Sequence, residues 1–64
     1  MKYKDFLKTA LFKDADVVLI QDRNGNDADI ADYRKIRNKE ILSHETNIVD
    51  NLVYETLVID FEKL

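Results

Sequence analysis

Residues 17–26 read Val17-Val18-Leu19-Ile20-Gln21-Asp22-Arg23-Asn24-Gly25-Asn26. The first four are β-branched or aliphatic and continuously apolar. A run this short is a strand and not a helix, and its unbroken apolarity predicts a central strand. Asn24-Gly25 follows within four residues and holds the only glycine of the chain. Both residue types tolerate positive φ, so the pair predicts a type I′ hairpin turn. The return strand is then expected from Asp27 to Tyr33, as an edge strand guarded by Asp27, Asp29 and Asp32. A rival reading caps a helix with Asp29 and starts it at Ile30.

Upstream, Tyr3, Phe6, Leu7, Ala10 and Leu11 recur at i, i+3, i+4, i+7 and i+8. That spacing is the apolar stripe of one amphipathic helix. Downstream, residues 34–44 predict a helical turn or loop with Ile36, Ile41 and Leu42 turned inward. Asn47–Tyr54 carries helical spacing, but its β-branched content favours a strand. A turn near Tyr54-Glu55 would return it to a strand in which Leu57, Ile59 and Phe61 alternate with Val58, Asp60 and Glu62. The expected fold is α+β: one N-terminal helix packed on a small antiparallel sheet, in the order α-β-β-turn-β-β. Phe6, Leu7, Leu11, Val18, Ile20, Leu57, Ile59 and Phe61 should form the core.

The pattern of a Lys-rich opening helix, then DADVVLIQDRNGN, then a closing LVIDFE strand resembles short accessory proteins encoded in phages and prophages of low-GC Gram-positive bacteria. The resemblance implies a non-catalytic protein-binding role. Some small phage proteins of this sort inhibit host defence machinery such as CRISPR effectors. No motif of that group defines a site, so no functional residue follows from it.

Composition bounds the chemistry. The 64 residues include no cysteine, proline or tryptophan and a single histidine. A chain of this length is one small domain that buries about 60% of its unfolded surface. It has none of the disulfide or Cys/His staples that stabilise mini-proteins. Charges interrupt every apolar run, which predicts neither a signal peptide nor a membrane span and makes the cytoplasm the expected location. His44 cannot form a recognised zinc site alone. No nucleophile–base pair or phosphate loop is visible, so an enzyme, a catalytic residue and a cofactor are not expected.

Two constellations invite weighing. Asp22, Asn24 and Asn26 match the first three ligand positions of a calcium loop. The match fails where Asp27 stands for the required glycine and Tyr33 for the closing acid, so no metal site is expected and a calcium-binding loop module stays only an alternative function. Charge falls in blocks: net positive over residues 1–13, negative over 14–32, positive over 33–39, negative over 40–64, for a total of -3. Within the third block, Tyr33, Arg34, Lys35 and Arg37 join an aromatic to three cations. Arg and Tyr are favoured interface anchors, so these four are the expected partner-binding residues. The flanking acidic blocks argue against direct nucleic-acid binding. An alternative function is an acidic nucleic-acid mimic presenting Glu55, Asp60 and Glu62 as a row. The unpaired edges of a four-stranded sheet also allow a homodimer.

Overall fold

In the computed structural model, residues 1–28 and 33–62 are described. Along the chain run α1 (Tyr3–Phe6), α2 (Ala10–Asp14), β1 (Val17–Gln21), α3 (Tyr33–Ile36), β2 (Ile41–Val49) and β3 (Leu52–Ile59). The strands form a three-stranded sheet in the order β1-β3-β2. The fold is α+β, as the sequence predicts. The sheet, however, is mixed: β1 runs parallel to β3 and β2 runs antiparallel to it.

That topology corrects several expectations. β1 is an edge strand, not the central one; the central strand is β3. The loop after β1 holds a different turn from the expected type I′ hairpin. Gly25 has φ +81, but Asn24 is not in the positive-φ region, which a type I′ turn requires of both residues. Instead Asp22 organises the loop. Its Oδ1 accepts from the Asn24 and Asn26 amides at 2.9 and 3.0 Å, and its carbonyl accepts from Gly25 N–H. This Asx geometry turns the chain locally without needing a paired strand. The described part of the expected return strand makes one antiparallel bridge, Gln21 to Asp27. Residues 29–32 of that segment lie outside the described residues. Tyr33, the last residue of the expected return strand, lies instead in α3; the rival cap at Asp29 and helix start at Ile30 lie outside the described residues.

The I′-type turn lies elsewhere. Asp50 and Asn51 have φ 52 and 65, and Val49 pairs with Leu52 across them. Asp and Asn are the non-glycine residues that best tolerate this region. The expected turn at Tyr54-Glu55 is therefore wrong; both residues sit inside β3. Residues 41–44, expected as loop or helical turn, are the start of β2. A bulge between Ile41 and Ser43 turns Ile41 to the buried face and leaves Leu42 exposed.

The single N-terminal helix is two helices broken at Leu7–Thr9. Thr9 is extended (φ -89, ψ 160); its hydroxyl donates to the Phe6 carbonyl at 2.6 Å and accepts from Phe12 N–H. A threonine that caps one helix cannot continue another. The break rotates α2 away, so Leu11 is 42% exposed and lies outside the core.

The core consists of Tyr3, Phe6, Ile20, Ile36, Leu57 and Ile59, with Leu7, Val18, Ala28, Ile41 and Phe61 packed against it. All three helices serve this one face. Phe6 comes from α1 and Ile36 from α3, while Phe12 of α2 meets Phe6 edge-on, with ring centroids 6.0 Å apart. The parallel register is pinned at its start by Asp16, whose amide donates to the Val53 carbonyl and whose carboxylate accepts from the Val53 amide.

Candidate functional site

Tyr33, Arg34, Lys35 and Arg37 lie together on and just beyond α3, all exposed. Two backbone bonds fix this segment over α1: the Tyr3 amide donates to the Lys39 carbonyl and the Lys4 amide to the Arg37 carbonyl, both at 3.0 Å. These amides belong to the first turn of α1, where no intrahelical acceptor exists. The Tyr33 ring stands 5.9 Å from the Tyr3 ring. Burial, and then the neighbouring Tyr33, push the Tyr3 hydroxyl above its ordinary pKa. The structure thus places the four residues of the aromatic–basic group, all exposed, on the segment that packs over α1.

The expected acidic row does not form. Glu55 is 1% exposed and faces the core side of the sheet beside Leu57 and Ile59. Its carboxylate accepts from the Thr46 hydroxyl and contacts His44 Nδ1 at 3.0 Å. Both partners stand on β2, one directly opposite Glu55 and one opposite Leu57. Sequence reasoning left His44 alone and put Glu55 on the surface, because the turn expected at Tyr54-Glu55 took Glu55 out of the strand and residues 41–44 were expected outside the sheet. Asp60 follows β3 and meets Arg23 at 3.5 Å. The calcium-loop residues are also otherwise engaged, since Asp22 is 2% exposed and spends Oδ1 on two backbone amides.

Among the described residues, the other face of the sheet is exposed to half-buried. Strand alternation puts Leu52, Tyr54, Thr56 and Val58 on it, beside Val17, Leu19 and Gln21 of β1 and Ser43, Glu45, Asn47 and Val49 of β2. Leu19 is 45% exposed, Leu52 43% and Val49 53%. Among the described residues, no group of three or more His, Cys, Asp or Glu could hold a metal ion, and no helix is long and apolar enough to cross a membrane. Comparison with family models, curated proteins and solved structures finds no match for this chain.

Proposed function

We propose that the chain is a non-catalytic binding module that docks onto a larger protein in the cytoplasm. The exposed apolar residues of the sheet face carry this reading. Leu19, Leu52 and Val49 stand exposed around half-buried Val17 and Tyr54, in a domain whose helices all serve the opposite face. Contiguous exposed apolar area of this kind marks an interaction surface. The basic–aromatic group at Tyr33 to Arg37 adds orientation and on-rate through its charge. The resemblance to phage accessory proteins supports the same role and adds inhibition of a host defence protein as the expected consequence.

The test is retention of proteins from a bacterial lysate by three forms of the chain. Wild type should retain a defined protein, and a Leu19→Lys, Leu52→Lys variant should lose it. Changing Arg34, Lys35 and Arg37 to Glu should weaken retention in proportion to the role of that group. Equal retention by wild type and the leucine variant would remove the sheet face from the reading. A wild type that retains nothing would remove the binding role itself. Loss of binding between low and moderate salt would instead favour the nucleic-acid mimic, whose affinity is electrostatic.

A further inference from the structure

The outer edge of β2 is the longest unpaired stretch of backbone described in the protein. β3 occupies one side of β2. On the other side, the chain's own opening residues pair antiparallel with its start: Lys2 bridges Glu40, and the Ile41 amide donates to the Met1 carbonyl at 2.8 Å. From Leu42 to Val49, no described residue continues that pairing. The other edge of the sheet is better covered, because residues 27–28 bridge Gln21 and bond the Ile20 carbonyl.

Natural edge strands are guarded by lysine, proline, bulges or inward charges. β2 has one bulge at its start, no lysine or proline, and a single formal charge in Glu45. The strand is held in place from behind. The buried Glu55 carboxylate engages Thr46 and His44, two cross-strand clasps that fix the strand before any partner arrives. Holding the edge in its bound shape lowers the ordering cost of adding a strand. Exposed Leu42, Ile48 and Val49 offer apolar contacts along it, with Ile48 72% exposed.

Charge selects the occupant. The exposed acids along β2 and its turn are Glu45 and Asp50, and residues 40–62 hold no lysine or arginine; Glu40 pairs with the N-terminal ammonium, Asp60 with Arg23, and Glu55 is buried. Pairing β2 with β2 of a second copy would bring two such acidic hairpins together. A basic strand meets the complementary charge of Glu45 and Asp50. We propose that the edge of β2 from Leu42 to Val49 accepts an extended, lysine- or arginine-bearing polypeptide segment as a fourth strand, by β-augmentation. The proposal rests on the reading of the chain as a binding module and names the chemistry of one partner segment.

The probe is a fluorescein-labelled peptide of alternating lysine and valine, seven residues long, added to the full chain at low salt. Controls are its glutamate counterpart and two N-methylated forms, one methylated on odd and one on even residues. Only one edge of an added strand faces β2, so one methylated form should lose at least about ten-fold in affinity while the other binds nearly as well. The glutamate peptide should not bind, and Glu45→Lys should weaken the lysine peptide about five-fold. Amide resonances of residues 43–49 should shift and their exchange should slow. Lack of saturable binding up to about 1 mM, the weak end of specific recognition, would overturn the proposal. So would equal binding of both methylated forms, or shifts confined to Leu19 and Leu52 or to Tyr33–Arg37. Protection of residues 43–49 in the free chain, rising with its concentration, would assign the edge to a second copy and overturn it as well. If the peptide fails but a lysate protein is still retained and then lost with the leucine variant, the inference falls while the binding role stands.

Discussion

Thr46→Val tests whether the buried Glu55 carboxylate is held by its cross-strand partners. The substitution keeps the β-branch and the volume of the side chain and suits a strand, so it removes little besides one hydroxyl donor. That donor serves a carboxylate that is 1% exposed. Hydrogen bonds to charged groups contribute about 1.5–3 kcal/mol, and a buried acceptor left short of donors costs a comparable amount. Thr46 itself is exposed, which lets water approach from the β2 side and places the expected loss near the lower end, about 1.5–2 kcal/mol. For a domain of this size that is a fall in Tm of about 6–16 °C. Urea unfolding followed by circular dichroism measures it, in wild type and in a Glu55→Leu background. In that background the carboxylate is gone, and Thr46→Val should cost less than about 0.5 kcal/mol. Equal costs in the two backgrounds would show that Thr46 contributes through packing, and the hydrogen-bond argument would be refuted.

Replacing Asp50-Asn51 by Asn-Gly should raise stability by about 0.5 kcal/mol, because both positions hold positive φ and Asn-Gly is the preferred pair; a lower urea midpoint would contradict this. Gly25→Val should cost about 1 kcal/mol or more. Its source is backbone strain at φ +81, since a Cβ there meets nothing within 4 Å. Gly25→Asn should cost less, and equal losses would point to another cause. Tyr3 is held protonated in the fold, so its folded pKa lies above the unfolded value near about 10. Its contribution is full below that pH and is lost as pH rises through the folded pKa. Thermal melts should show wild type losing stability above about pH 10 more steeply than Tyr3→Phe; parallel curves would deny the effect.

Local chemistry was legible in the residues themselves. The apolar run at Val17–Ile20 is a strand wherever it pairs, because four consecutive β-branched or aliphatic residues suit a pleated surface. The alternation of Leu57 and Ile59 placed both in the core, and Phe6 and Ile20 joined them there. The exposed aromatic–basic group at Tyr33 to Arg37 could be recognised because its members are adjacent in the chain. The i, i+3, i+4 stripe running across Thr9 predicted one continuous helix, and only the structure shows Thr9 capping α2. Hairpin placement was harder. Asn24-Gly25 has the stronger turn propensity, yet Asp50-Asn51 makes the hairpin, since β2 and β3 bury Leu57 and Ile59 only in that register.

Tertiary structure alone decided which strand is central and which faces stay open. Nothing local distinguishes a strand that pairs in parallel with a partner more than thirty residues away from one that turns back on itself. The same long-range pairing carries Glu55 into the interior and brings His44 and Thr46 to it, so a carboxylate that reads as surface becomes a buried clasp. It also places β2 at the rim of the sheet, where no described residue pairs with its outer edge from Leu42 to Val49.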